Sequence, residues 1–389
     1  MEKQKEIVVL YVTHYADMYG ANISLLNLIV DLRDRYNVCP IVVGPKLGEF
    51  SEKLKEEEIS YYVVHYLKWM YDGHKHTKGY LMLIRALRRF YNLKAVDKIS
   101  KICREKEVQL VHTNSSVTEV GLLVAKKKHI PHIWHIREFG KEDYNLDYVC
   151  GKKYIRKCYE SSQAIIAISY SIKEHIQKLA ETSNVITIYN GVKICQGYEK
   201  VYFDTNNKVR FCCAGNITIE KNQIVIIMAV DRIVKDGYRD FQVSIIGSGQ
   251  TEYIQYLENK IHELKIEQYI HLLPYTTQMD KVLKEMDIGI VPSVKEAFGR
   301  ITVEYMSNYM PVIGSDSGGT KELIDNKVNG FTFSSNVPED LAAKMKYYME
   351  RPAEVKQQGN KARLLAEQIY EMKINTDKIV NLYRSKIYE

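Results

Sequence analysis

The chain alternates short apolar runs with longer amphipathic ones. In its first half, "EIVVLYVTH", "VCPIVVG", "VQLVHTN", "IPHIWHI" and "AIIAIS" read as buried strands, with "GANISLLNLIVDLRDR" and "SEKLKEEEIS" as helices among them. The series restarts at "VRFCCAGN". It continues through the helix "KNQIVIIMAVDRIVKDG", the strand "FQVSIIGSG", the helix "TEYIQYLENKIHEL" and the strands "IHLLPY", "DIGIVPS" and "PVIGSDS". Strands that are apolar throughout and spaced by helices belong to parallel sheets covered on both faces. Two such series predict two doubly wound α/β domains. The polar, irregular stretch "NGVKICQGYEKVYFDTNNKVR" sets the boundary, giving a first domain over 1–192 and a second over 208–372. The stretch "NKARLLAEQIYEMKINTDKIVNLYRSKIYE" is helical by period, with a break expected near Lys373–Asn375.

Composition agrees with two packed domains: 389 residues, 46% hydrophobic and 26% charged. No apolar run is long enough for a membrane-spanning helix. The opening "MEKQKEIVVLYV" reads as a first strand rather than a secretion signal. Seven cysteines without a C-x-x-C pattern fit reduced thiols of a cytosolic protein, with no zinc site or disulfide framework. Charge is uneven. Between Lys68 and Lys106 stand eleven Lys/Arg against three acids, a net of +8, where the whole chain carries +7. Residues 79–106 are predicted helical, with Arg85, Arg88 and Arg89 on one face, and the aromatic-rich "YLKWMYDGHKHTKGY", which holds Trp69, precedes them. Such a surface suits anionic lipid headgroups beside a lipid-linked acceptor; the plain alternative is a solvated helix face. No nucleic-acid module is present, so nucleic acid is not an expected partner.

Ligands of open α/β sheets bind at the carboxyl ends of the strands. Gly20 and Ala21 open a helix after the first strand, where backbone N–H groups can meet an anion or simply make a tight turn. Gly247, Ser248 and Gly249 in "IIGSGQTEY" match half of a dinucleotide fingerprint, but Glu252 or Tyr253 holds the third glycine position, so NAD is not supported. Gly215 ends a strand, and Lys221 follows as a point charge suited to phosphate. His135 ends another strand, with Arg137 and Glu138 beyond it, and is a hydrogen-bonding or acid–base candidate. In "DIGIVPSVKEAFGRITVEYMSNYM", Glu296 lies in a loop and Glu304 one turn into the next helix, with Gly299 and Arg300 at that helix's start. A diphosphate held at the helix start leaves one carboxylate for the hydroxyls of a sugar and one for those of a ribose. The ligand that needs both is a nucleotide sugar. Gly318 and Gly319 before Thr320 make a second helix start.

The run E-A-F-G-R-x-x-x-E with "PVIGSDSGGTKELI" and "NGF", preceded in order by "YNGV", "GNITIEKN" and "IIGSG", resembles the retaining glycosyltransferases of family 4 over nearly the whole chain. The resemblance implies the GT-B fold: two Rossmann-like domains facing across a cleft, with the helix over 373–389 packing back on the first. The second domain would bind the nucleotide-sugar donor and the first the acceptor. Glu296 would contact the donor sugar and Glu304 the ribose. Ala297, Phe298, Gly299, Arg300, Ile301 and Thr302 would run along the diphosphate, with Gly20 and Ala21 approaching it from the first domain. Lys221 would neutralise it, His135 would lie near the transferred sugar, and loops around Gly249 and Tyr275 would meet the base. Glu296, His135 and Lys221 would form the catalytic set. Asn216 departs from the family's usual arginine, leaving Lys221 and Arg300 to supply positive charge. No D-x-D motif is present, so neither metal nor cofactor is expected. The implied reaction moves a sugar with retention from a UDP- or GDP-sugar to a glycan or lipid-linked acceptor. Its setting would be cell-surface polysaccharide or glycolipid synthesis, in the cytoplasm or at the inner face of the membrane. A sugar-nucleotide epimerase of the same fold and a catalytically silent partner subunit are the rival readings.

Overall fold

The computed structural model describes residues 5–72, 78–194, 197–198, 200–203 and 208–388. It forms two compact units, residues 1–191 with 372–389 and residues 192–371.

The first unit holds β1 (Ile7–Thr13), β2 (Val38–Gly44), β3 (Ser60–Val63), β4 (Met70–Asp72), β5 (Leu110–Asn114), β6 (His132–Ile136), β7 (Leu146–Tyr148), β8 (Ala164–Ala167) and β9 (Val185–Thr187). Seven of these form a sheet in the order β3-β2-β1-β5-β6-β8-β9, and β4 pairs with β7 apart from it. Pairing is parallel throughout the large sheet and antiparallel in the small one. The second unit holds β10 (Val209–Ala214), β11 (Phe241–Gly247), β12 (Ile270–Pro274), β13 (Ile288–Val291), β14 (Val312–Ser315) and β15 (Gly330–Phe333). They form one parallel sheet in the order β12-β11-β10-β13-β14-β15. The ten strands expected from apolar runs are all present. β3, β4, β7, β9 and β15 are present as well but were not expected, because each is only three or four residues long and no extended apolar run marks it.

Each sheet reverses its strand order once, between β1 and β5 in the first unit and between β10 and β13 in the second. Loops leaving two such strands part to opposite faces and open a crevice, which is where α/β sheets take ligands. The helix Met372–Tyr388 belongs to the first unit. Its Ile379, Val380 and Tyr383 share one core with Ile7, Val9, Leu25 and Leu28. The break before it lies at Glu371, in extended backbone after the π-helical turn Ala366–Tyr370. It therefore precedes the expected Lys373–Asn375. Asn375 sits inside the helix, and its amide donates to the Tyr189 carbonyl at 2.5 Å.

Candidate active site

The second unit's crevice is built from the loops after β10 and β13. β10 ends where the Ala214 N–H donates to the Tyr305 hydroxyl at 2.7 Å, and Gly215 turns the chain with φ +141°. The loop after β11 crosses it backbone to backbone. A Cβ on Gly247 would stand 1.8 Å from the Gly215 carbonyl oxygen, and one on Gly249 2.0 Å from that of Ile217. Both glycines are therefore needed for that crossing, whatever else they touch. Ser248 is exposed beside them, and its carbonyl accepts from the Ile217 N–H at 2.8 Å. Asn216 is exposed, and its carbonyl accepts from the Gln223 amide at 2.8 Å.

A turn at Ile219–Lys221 then brings the two loops together. The Val294 N–H donates to the Glu220 carbonyl at 2.9 Å, and the Asn222 amide donates to the Pro292 carbonyl at 3.3 Å. Held this way, the Lys221 ammonium pairs with the Glu296 carboxylate. The Ser293 hydroxyl donates to the same carboxylate oxygen at 2.7 Å.

Gly299, at φ +82°, turns the chain into the helix Arg300–Ser307. On that helix the Arg300 Nε donates to Glu304 at 2.7 Å. Buried around the helix start are three polar atoms without a hydrogen-bond partner: Arg300 Nη1, Thr302 Oγ1 and Thr320 Oγ1. The two hydroxyls converge on Gly299, 3.1 and 3.3 Å from where its Cβ would be. Gly318, at φ +54°, and Gly319 lie against the Glu296 loop. The Gly319 N–H donates to the Glu296 carbonyl at 2.7 Å, and a Cβ on Gly318 would meet that carbonyl oxygen at 2.3 Å. Cations, free N–H groups at a helix start and unpaired donors so arranged suit a polyanion, while the two carboxylates suit hydroxyls. Ala297 and Ile301 are half-buried and Phe298 is buried in the same stretch. Tyr275 follows β12 at the sheet edge, fully on the surface.

In the first unit, Gly20 opens the helix Gly20–Tyr36 with nothing within 4 Å of its would-be Cβ, and Ala21 accepts from the Asn114 amide at 3.3 Å. His135 does not face outward from its strand end. It is 1% exposed, with Nδ1 3.2 Å from His112 Nε2 and 3.3 Å from Arg137 Nη2. Burial, then the Arg137 charge, holds its pKa well below the usual histidine value. Arg137 also donates to Asn114 and Asn190, each at 2.5 Å. Glu138 is buried and accepts from the Ser115 hydroxyl at 2.9 Å and the Ser116 hydroxyl at 2.6 Å. Ser115 sits at φ +111°, which an L-residue rarely adopts. Its carbonyl accepts from the Trp134 indole at 2.8 Å, which helps fix that conformation. Asn114, Ser115 and Ser116 escaped the sequence reading, the available signal being the polar run "TNSS" at the end of an apolar strand; Asn190 entered it only as part of "YNGV", with no role attached.

The model of the family "Glycosyl transferases group 1" matches residues 199–365, and that of "Glycosyltransferase Family 4" matches residues 19–194. The chain belongs to the family 4 (group 1) glycosyltransferases. An uncharacterized glycosyltransferase of Methanocaldococcus jannaschii is 26% identical over 261 residues, which span 63% of this chain and 60% of that relative. An Escherichia coli UDP-Gal:alpha-D-GlcNAc-diphosphoundecaprenol alpha-1,3-galactosyltransferase is 23% identical over 65% of this chain and 70% of its own length. Among solved structures, Anabaena HepE in complex with UDP superposes with a TM-score of 0.80, at 17% identity, over 97% of this chain and 100% of that one. The fold is that of GT-B glycosyltransferases.

For this glycosyltransferase, two of the residues expected on a basic outer surface lie inside. Trp69 is fully buried, stacked on Trp134 with ring centroids 5.4 Å apart, and its indole donates to the Ser116 carbonyl. Arg88 is 6% exposed, pairs with the buried Glu119 and donates to Cys150 Sγ at 2.8 Å. Arg89 is exposed, and the Arg85 side chain lies outside the described residues. The helix Lys78–Glu105 nonetheless turns an apolar and basic face outward. Leu87, Phe90, Tyr91 and Leu93 are all exposed there beside Arg89, Lys94 and Lys98. Among the described residues, no helix is long and apolar enough to cross a membrane.

Proposed function

We propose that this chain transfers a sugar from a UDP-sugar to a lipid-linked acceptor with retention of anomeric configuration, in the synthesis of a cell-surface polysaccharide or glycolipid. The observation that carries the reading is the Lys221–Glu296 pair, joined by Ser293, at the switch point of the second sheet. The unpaired Arg300 and threonine atoms stand around the neighbouring helix start. A bound diphosphate takes the Lys221 ammonium and the helix-start N–H groups, which frees Glu296 for the donor sugar's hydroxyls. Glu304 takes the ribose. In the transfer, the bond from the anomeric carbon to the diphosphate oxygen breaks, and the acceptor oxygen bonds that carbon on the same face. The acceptor's proton passes to the departing diphosphate. Lys221 and Arg300 stabilise the charge that develops there, and no metal is required of the protein. The E. coli relative, named for a UDP-sugar donor and a diphosphoundecaprenol acceptor, supports the choice of both substrates. The exposed apolar and basic face of helix Lys78–Glu105 suits the anionic inner surface of a membrane that would carry such an acceptor.

Incubation with a panel of UDP-, GDP- and ADP-sugars tests this reading. Release of UDP with free sugar, accelerated by a lipid diphosphate acceptor, is the expected result. An intact but altered sugar nucleotide would make the protein an epimerase. Inertness toward every donor, with no UDP binding by calorimetry, would make it a silent partner subunit.

A further inference from the structure

Helix Arg300–Ser307 meets the candidate donor site at its start, so the way its far end is held decides where Arg300 and Glu304 stand. That end tightens. The Asn308 N–H donates to the Tyr305 carbonyl at 2.9 Å, one residue short of its α-helical partner. The Glu304 carbonyl is left to side chains, and it accepts from the Asn308 amide and the Ser307 hydroxyl, both at 2.9 Å. Tyr309 then reverses the chain at φ +59°, with its N–H on the Met306 carbonyl at 3.0 Å and that of Met310 on the Tyr305 carbonyl at 3.1 Å. Glycine is the usual residue at this point of such a helix end. A tyrosine there is strained, and its surroundings hold it. The Arg363 guanidinium lies 5.0 Å over its ring, the Tyr198 ring meets it edge-on at 5.9 Å, and the Tyr202 hydroxyl donates to its carbonyl at 2.9 Å.

Arg363, buried on helix Pro352–Leu365, also donates to the Ser307 carbonyl at 2.6 Å, which puts its charge at the negative end of the donor-site helix. A Cβ on Gly359 of the same helix would stand 2.1 Å from the Tyr309 carbonyl oxygen, so a side chain there would push the two apart. Tyr198 and Tyr202 come from the segment that opens the second unit, and that segment is fastened. The Lys200 ammonium donates to the carbonyls of Leu283 at 2.8 Å and Lys284 at 3.1 Å, and the Phe203 N–H to Asp287 at 2.8 Å. Tyr198 is thus a hydrogen-bonding group on a fixed support. A carbonyl can only accept. Asn308 therefore turns its amide nitrogen to Glu304 and its oxygen to Tyr198, whose hydroxyl donates to it at 2.9 Å.

We propose that Tyr198 and Asn308 are positioning residues for donor binding: the Tyr198 hydroxyl fixes the Asn308 amide, the amide fixes the Glu304 carbonyl, and the Glu304 carboxylate is thereby set for the nucleotide. Arg363 and Tyr309 frame the same helix end. The proposal rests on the glycosyltransferase reading above. It makes the segment ahead of β10 part of donor recognition.

Calorimetric titration of the full chain with UDP tests it in a double-mutant cycle. Tyr198→Phe keeps the ring and removes only the hydroxyl. It should weaken UDP binding about fivefold, the worth of one hydrogen bond. In a Glu304→Ala background, which lacks the carboxylate being positioned, adding Tyr198→Phe should weaken UDP by less than about twofold. Turnover of the UDP-sugar that the donor panel identifies should show the same rise in KM for Tyr198→Phe, with kcat unchanged. Thermal unfolding confirms that each variant folds. An equal loss from Tyr198→Phe in both backgrounds, or a fall in kcat with KM unmoved, overturns the proposal. A natural protein that binds no UDP refutes the functional reading and the proposal with it. A protein that binds UDP and turns over its sugar, with Tyr198→Phe binding UDP as tightly as before, refutes the proposal alone.

Discussion

Lys221 and Glu296 meet as an ion pair although they follow different strands, β10 and β13, on the two sides of the second sheet's reversal. The contact is partly open to solvent, with the lysine side chain 35% exposed, so it adds at most about 1 kcal/mol to stability. Its value lies in presenting a cation and a carboxylate to one ligand. Glu296→Ala should therefore lower kcat by about a hundredfold or more, while the unfolding temperature moves by no more than about 3 °C. Steady-state kinetics and calorimetry on one preparation check both halves.

Glu304 stands one helical turn from the site's helix start and is held by Arg300. Glu304→Ala removes a contact that is the same in ground and transition states. KM for the nucleotide sugar should rise about tenfold with kcat nearly unchanged, and UDP should bind weaker by the same factor in a titration.

Gly318 and Gly20 make a matched pair. Gly318 has φ +54° and no room for a Cβ beside the Glu296 carbonyl, whereas Gly20 has open space. Gly318→Ala should cost about 1–3 kcal/mol of stability and displace the Glu296 loop. Gly20→Ala should stay within about 0.5 kcal/mol. Urea unfolding of the two variants distinguishes them.

Asp143 accepts from the Phe139 and Gly140 N–H groups, both at 2.8 Å, in the turn after β6. Burial pushes its pKa from 3.8 up to about 7. The folded state thus holds this proton more tightly than the unfolded one. The stability it gives is full below pH 3.8 and is lost as pH rises through about 7. Asp143→Asn should gain on the natural protein in unfolding temperature from pH 5 up to about pH 7 and level off above it. A constant difference across that range would contradict the assignment.

Flotation with vesicles checks the outward face of helix Lys78–Glu105. The protein should rise with phosphatidylglycerol vesicles at low salt and less so as salt increases. A Leu87→Ser, Phe90→Ser, Leu93→Ser variant should stay behind, with its unfolding temperature unchanged because all three side chains are exposed.

The geometry of the second unit's candidate site was legible because it is local. Glu296, Gly299, Arg300 and Glu304 follow one another along a single loop and the helix after it, so their order nearly dictates their geometry. The first unit was harder. Arg88 reads as a surface cation until Glu119, 31 residues on, is seen to bury it. Trp69 reads as an anchor until Trp134 is found stacked against it. β6 shows the deeper reason. Its sheet is covered on both faces, so all five of its residues, His132 to Ile136, are buried, and alternation along the strand says nothing about exposure. Only the register beside β5, which sets His135 against Asn114, shows which polar groups surround it.

The helix Met372–Tyr388 has a consequence for the order of events during synthesis. It completes a core whose other members are made about 190 to 370 residues earlier, Ile188 the latest and Ile7 the earliest among them. A ribosome therefore releases the second unit's whole sheet before the first unit can close. Until then, β1 and the helix Gly20–Tyr36 expose the apolar surface that Ile379, Val380 and Tyr383 will cover. Closing so long a loop is slow, and the nascent first half is the segment most in need of a chaperone.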